Sequence, residues 1–310
     1  MTSRSARQAF SAIRSTIALA ALLLMVLAVP SSRANEVAIG VDASQYAVLY
    51  EGTGGNTLHI TNVTINGNIG VGGTGKVSDS GPSTVNGRLD FSAASGGQFS
   101  GAPGDTGPTS INYSVAAVTS ALNAVNSLST SLGAESGNSL SINGTMTVNE
   151  SAGKLETLNG ITYRVFTITS YSSGDGKMLT ITGDGSDDPV VFNFLFNSNV
   201  TLGGDVTLNG LNDDQVLWNF TTSGKNISLN NNASSFPNVA FQGIILAPND
   251  VISLTNANLD GRVFGGDSSD MQIVSGTTIK APGVVPEPAT LSLLGTGILA
   301  LGSFVRRRRR

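Results

Sequence analysis

Few side chains in this sequence are equipped for chemistry. His59 is the only histidine, and there is no cysteine. A lone imidazole lacks the second nitrogen or thiolate ligand that zinc requires, and any Ser-His-Asp relay would rest on it entirely. No Gly-x-Ser-x-Gly elbow occurs. His59 sits between Leu58 and Ile60 in an alternating run, so it reads as a residue on the polar face of a strand. Gly70-Val71-Gly72-Gly73-Thr74-Gly75 matches G-x-G-x-x-G, but Lys76 to Pro82 carries no helical period and cannot supply the helix a dinucleotide site needs. Asp184, Asp187 and Asp188 crowd one turn and are candidates for Ca²⁺ through carboxylate oxygens. Pro189 stands where an EF-hand loop needs its glycine, so solvated turn chemistry competes with that reading. Asp213-Asp214 form a second acidic pair, yet nothing sets an acid apart from a base as glycoside hydrolysis demands. Trp218 alternates with Val216 and Phe220 and belongs in a core rather than on a sugar platform. No catalytic set emerges, and apart from Ca²⁺ no metal or cofactor is implied.

The elements around these residues are mostly β. Short alternating strands recur, among them 58–60, 63–65, 140–142, 178–181, 206–208 and 251–254. Several end alike, with an apolar residue, then Asn or Asp, then Gly: Asn66-Gly67, Asn86-Gly87, Asn143-Gly144, Asn209-Gly210 and Asp260-Gly261. Such pairs tolerate positive φ and mark sharp corners. Repeated corners after very short strands fit a parallel β-solenoid, whose rungs share one core. A β-sandwich of hairpins is the alternative. One segment departs from the pattern. Val115, Val118, Leu122, Val125, Leu128 and Leu132 recur every three or four residues, which predicts an amphipathic helix over 113–132, with Ser114 as N-cap and Gly133 as C′ residue.

Both ends carry addresses. Arg4, Arg7 and Arg14, an apolar run from Ile17 to Val29, and Ser32-Arg33-Ala34 form a secretory signal over 1–34, read by the secretion translocon and cut between Ala34 and Asn35. At the other end, Pro286-Glu287-Pro288 precedes an apolar stretch over 289–305, then Arg306, Arg307, Arg308, Arg309 and Arg310, a basic stop on the cytoplasmic side of a short transmembrane helix. This order of parts resembles the PEP-CTERM sorting tail. The resemblance implies processing at 282–310 by an exosortase-type membrane enzyme, with inner-membrane anchoring first and the cell envelope or extracellular matrix afterwards. Between the two ends, residues 35–281 hold eight basic and twenty acidic residues, a net charge of about −12. That surface repels nucleic acid and excludes it as a partner. Without disulfides, this exported domain must hold itself by packing and backbone hydrogen bonds.

The body carries a second resemblance. Tyr46-Ala47-Val48-Leu49, the Thr/Asn-rich 60–71, the mid-chain helix, 216–220, 241–247 and 259–263 look like an ice-binding-protein-like domain, and the later stretches are similar to the choice-of-anchor A adhesin-like domain. The first implies a right-handed parallel β-solenoid with a helix alongside. Together they imply a structural or adhesive surface protein of an exopolysaccharide matrix, with ice binding as the alternative. For ice, Thr61, Thr64, Thr201, Thr207 and Ser253 would have to share one flat face.

Overall fold

The computed structural model describes residues 36–282, apart from 95–97, 175, 187, 232–238 and 267–268. The signal and its cut site at Ala34-Asn35, Asp187, Pro286-Glu287-Pro288, the apolar stretch 289–305 and Arg306 to Arg310 lie outside the described residues.

The strands stack in parallel, as a coil requires. Of the strand pairings among the described residues, Lys154–Leu158 with Ile161–Ser172 is antiparallel and the others are parallel. A sandwich of hairpins is thereby replaced by a coil with three sides, built of a 14-stranded sheet, a 7-stranded sheet and a 3-stranded sheet. Thr278–Lys280, Thr64–Asn66 and Thr84–Asn86 branch from the 14-stranded sheet at Asn258, Leu259 and Asp260 and continue the side that the 3-stranded sheet begins. This hairpin turns at Asn159-Gly160, with φ of 53° and 83°. Two successive positive φ values are the signature of the tight turn that Asn-Gly favours.

Period two in the sequence becomes two kinds of burial. In Val251–Thr255 only Ile252 and Leu254 are buried, so one face meets water. In Val216–Phe220 all five residues are buried. Val216, Trp218 and Phe220 point into the coil, and Leu217 points to the helix. Trp218 stacks on Phe192 with ring centroids 4.6 Å apart, and Phe194 on Phe220 at 4.3 Å, so aromatic rings follow one another up the inside of the coil.

Chain order and rung order differ. Asn258–Gly265 pairs on one side with Phe241–Ala247 and on the other with Tyr46–Tyr50, so the last rungs of the chain sit against the first. Helix α1, Ala116–Gly133, carries the chain back along the stack. Its Val118, Leu122, Val125, Leu128 and Leu132 bury against Leu49, Val191, Leu217, Ile244 and Phe264 of the large sheet. Val115 N–H bonds Phe91 O at one end, and Asn193 reaches Leu132 O at the other. The pairing order between those two strands contains six rung steps, about 29 Å at the usual strand spacing. Eighteen residues of helix rise about 27 Å, so the helix is as long as the stack it spans.

The helix begins later than its periodicity predicts. Ser114 is not its cap: it takes φ of 57°, and extended Val115 precedes the first turn without a side-chain cap. Ser114 N–H and Val115 N–H are already bonded to Ala93 O and Phe91 O, which holds this segment to the last rung. Gly133 lies inside the helix rather than beyond it. Its role is close approach, since a Cβ there would lie 2.4 Å from Thr221 Cγ2.

At the helix C-terminus the Ala134 N–H already bonds Leu132 O and Thr130 O. A ladder of amides from the sheet adds hydrogen bonds on the buried side of this turn. Asn219 Nδ2 donates to Ser129 O (3.1 Å) and Asn193 Oδ1 (2.8 Å), Asn193 Nδ2 donates to Leu132 O (2.6 Å), and Ser129 Oγ donates to Asn219 Oδ1 (2.6 Å). Both asparagines are fully buried. At the Asp260-Gly261 corner, Gly261 stacks in register on Gly243. A Cβ on Gly261 would lie 1.9 Å from Gly243 O, so the corner requires glycine.

Candidate functional site

Two sides of the coil are free of the helix, and each presents polar side chains in register. On the 7-stranded sheet, Leu58, Ile60, Ile227, Leu229, Ile252, Leu254 and Ile273 face the core. Alternation then turns their neighbours outward. The central outward row runs Thr201, Ser228, Ser253, Gln272, His59, Ser78, Ser100 over seven consecutive strands. Adjacent members are about 4.8 Å apart along the coil. The row is polar but not uniform, because Gln272 and His59 interrupt the hydroxyls. His59 Nε2 lies 3.4 Å from Asp270 Oδ2, and Asp270 Oδ1 also accepts the Thr57 N–H at 2.7 Å. His59 is therefore a polar-face strand residue, as its alternation indicates.

The third side is more regular. At one end, Thr147, Thr180 and Thr207 stand in register, with Asn149, Thr182 and Asn209 two residues on. At the other end Thr278, Thr64 and Thr84 stand in register, beside Lys280, Asn66 and Asn86. Thr106 bridges to Thr84 and extends that row. Each array is a grid about 4.8 Å by about 6.6 Å, the strand spacing and twice the rise per residue. Gln242 and Asp260 separate the two arrays; the Gln242 carboxamide oxygen accepts the Leu208 N–H at 2.8 Å.

Of the five residues a single ice-contacting face would need, only three share one. Thr61, Thr201 and Ser253 lie on the 7-stranded sheet, and Thr64 and Thr207 lie on opposite ends of the third side. The arrays that do form include Thr84, Thr147, Thr180 and Thr278, which strand alternation alone did not single out. Their signal was in the sequence. Thr64-Ile65-Asn66-Gly67, Thr84-Val85-Asn86-Gly87 and Thr207-Leu208-Asn209-Gly210 repeat one tetrapeptide pattern, of which the apolar-Asn-Gly part marks the corner and the leading Thr marks the face.

The acidic turns are already occupied by protein groups. Arg164 Nη2 lies 3.2 Å from Asp184 Oδ2, and Arg164 Nε 3.3 Å from Asp188 Oδ2. The Ser186 hydroxyl and backbone N–H, with Arg164 beyond them, hold the Asp184 carboxyl below its usual range. Beneath the turn, fully buried Glu150 accepts the Asp184 N–H at 2.9 Å and the Ser186 hydroxyl at 2.7 Å. A guanidinium thus stands between the two described carboxylates that a Ca²⁺ ion would have to draw together. Among the described residues no group of three or more His, Cys, Asp or Glu is placed to hold a metal. Asp214 pairs with Arg262 at 3.2 Å, while burial, then Asp214 and Asp260, push the Asp213 carboxyl up. Gly70 to Gly75 forms a strand end and a tight corner rather than a helix start; a Cβ on Gly72 would lie 2.4 Å from Leu122 of the helix. Among the described residues no helix is long and apolar enough to cross a membrane.

Comparison with known proteins agrees with this geometry. No curated protein matches the chain. Among solved structures, the ice-binding protein of the Antarctic ascomycete Antarctomyces psychrotrophicus superposes with a TM-score of 0.52 at 17% identity, covering 80% of this chain and all (100%) of that one. An ice-binding protein from an Arctic yeast gives 0.49 at 17% identity, over 82% of this chain and 96% of that one. The ice-binding protein domain of Shewanella frigidimarina gives 0.44 at 14% identity, over 79% and 97%. At such identity the likeness to the first of these is one of fold. Residues 284–310 match the PEP-CTERM protein-sorting motif, which marks the chain for export, with membrane anchoring before processing and surface localisation after it. Residues 31–273 match the ice-binding-like adhesive domain model, and the chain belongs to that family.

Proposed function

We propose that the exported body is a non-catalytic adhesive module, retained at the cell surface or in an exopolysaccharide matrix after exosortase removes its tail. The observation that carries this reading is the row of Thr, Ser, Gln and His side chains over seven strands of one open sheet. Short hydroxyl and amide groups in register can exchange hydrogen bonds with a hydrated polymer along its length, and many weak contacts sum by multivalency. The body's negative charge disfavours an anionic polymer, so neutral hydroxyl-rich chains fit best. Deleting 284–310 and fractionating cells tests the retention half. The truncated protein should appear free in the medium; unchanged retention would refute it.

A second reading, ice binding, is favoured by the Thr-x-Asn arrays of the third side, which supply the regular spacing that the outer sheet lacks. Each array is only three or four rungs long, and Gln242, Asp260 and Lys280 break their continuity. Thermal hysteresis and ice shaping by the purified body distinguish the two readings. Activity at micromolar concentration would favour ice, and its absence at high concentration would leave adhesion.

A further inference from the structure

The point where the chain leaves the body is fixed by one buried arginine. Arg262 is 2% exposed. Its Nη1 donates to Ser44 O and Tyr46 O, each at 2.7 Å, its Nη2 donates to Pro282 O at 3.3 Å, and its Nε faces Asp214 Oδ1 at 3.2 Å. The Asp214 carbonyl accepts the Val37 N–H at 2.9 Å, so the entering and leaving segments of the body are held around the same guanidinium. Ala281 N–H donates to Asn66 O at 3.2 Å and binds the strand end to the next rung.

Beyond Pro282, only Gly283, Val284 and Val285 precede Pro286. Four residue steps extend at most about 14 Å. A single helix with its side chains is already about 10–12 Å across. An enzyme whose grip on Pro286-Glu287-Pro288 is thicker than one helix therefore meets the body's surface beside Pro282. That surface is a shallow cleft lined by Leu208, Leu211, Asn212, Asp213, Gln242 and Asp260, with Lys280 at its edge. Lys280 Nζ lies 3.5 Å from Asp260 Oδ1, so Asp213 adds a second carboxylate to a cleft that also carries two leucines.

We propose that the processing enzyme docks on the folded body at this cleft, with basic residues opposite Asp213 and Asp260, so that body and tail are read together. The proposal rests on the reading of 284–310 as a sorting tail. It is tested by pulse–chase of the full chain in cells that carry the processing enzyme, following loss of the tail. Three chains are compared: the parent, Asp213→Lys with Asp260→Lys, and that double variant with a twelve-residue Gly/Ser insertion after Pro282. Opposed charge in an enforced contact should slow processing about fivefold or more, and the insertion, which lets the tail be gripped away from the body, should restore the parental rate. Equal rates for parent and double variant would overturn docking. A slow double variant that the insertion does not restore would also overturn it, because the defect would then lie in the body and not in the contact. A parent that is never processed would overturn the sorting reading itself, and docking with it.

Discussion

Replacing Asn219 by alanine tests whether the amide ladder holds the helix to the coil. The change removes two donated bonds, to Ser129 O and Asn193 Oδ1, and the one accepted from Ser129 Oγ. All three partners lie in a buried seam: Asn193 is fully buried and Ser129 is 3% exposed. A net hydrogen bond contributes about 1 kcal/mol, and an orphaned buried acceptor costs about 1–3 kcal/mol. Ser129 Oγ can turn back to a carbonyl of its own helix, whereas buried Asn193 Oδ1 loses the donor it has in Asn219 Nδ2. The expected loss is about 3 kcal/mol, equivalent to about 6–12 °C in Tm for a domain of this size. Urea unfolding followed by Trp218 fluorescence measures it, because Trp218 is fully buried in the aromatic stack and faces away from the substituted side chain. Ser129→Ala and the double variant complete a cycle with an expected coupling of about 1 kcal/mol. A loss below about 1 kcal/mol with no coupling would refute the claim that this ladder secures the helix.

Other outcomes follow from the same geometry. Gly261→Ala should cost at least about 3 kcal/mol, because its Cβ would meet Gly243 O in a left-handed corner; soluble expression and Tm report it, and a near-neutral result would mean the corner can move. Burial raises the Asp79, Asp213 and Asp250 carboxyls above their ordinary value of 3.8. The native state therefore binds protons more readily than the unfolded chain there, so these three groups favour stability as pH falls from 7 towards their raised values. Asp184 acts in the opposite sense: its lowered carboxyl contributes above 3.8, and the contribution is lost as pH falls below that value. Tm should thus hold or rise as pH falls from 7 towards the raised carboxyls, with the loss from Asp184 confined to pH below 3.8, and a Tm falling steadily from pH 7 would contradict the assignment. With Arg164 paired to Asp184 and Asp188, millimolar Ca²⁺ should leave Tm within about 1 °C of its value in EDTA; a rise of several degrees would show a site that these pairs conceal.

The features legible in the sequence are those that depend on neighbours along the chain. Alternation in 251–254 and 178–181 places Ile252, Leu254, Leu179 and Ile181 inward, and the helical spacing of Val118 to Leu132 marks the face that buries. The Asn-Gly and Asp-Gly corners are likewise local, because they depend on backbone conformations only these residues reach easily. What the sequence conceals depends on which rung lies beside which. Nothing local to Val263 says that it will pair with Val48, more than two hundred residues away. The order of rungs, the length match between helix and stack, and the union of Thr147, Thr180 and Thr207 all follow from that non-local pairing. The helix starts later than its spacing predicts for the same reason: Ser114 has the chemistry of a cap, but the bonds of Ser114 and Val115 to a neighbouring rung decide the conformation there. The acidic turn at Asp184 shows a further limit, since Arg164 lies twenty residues earlier and arrives through strand pairing with Val190.

Adhesion through the outer sheet is the central claim, and binding to the host's own exopolysaccharide tests it most directly. Co-sedimentation should be compared for the processed body and for a variant in which the outward row is disrupted by Ser228→Lys, Ser253→Lys and Ser78→Lys, with native folding verified by Trp218 emission. The parent is expected to pellet with the polymer and the variant to lose at least about tenfold in apparent affinity, because three of the seven rungs of a multivalent contact are removed. A parent that stays in the supernatant, or a variant that binds as well as the parent, would contradict the account.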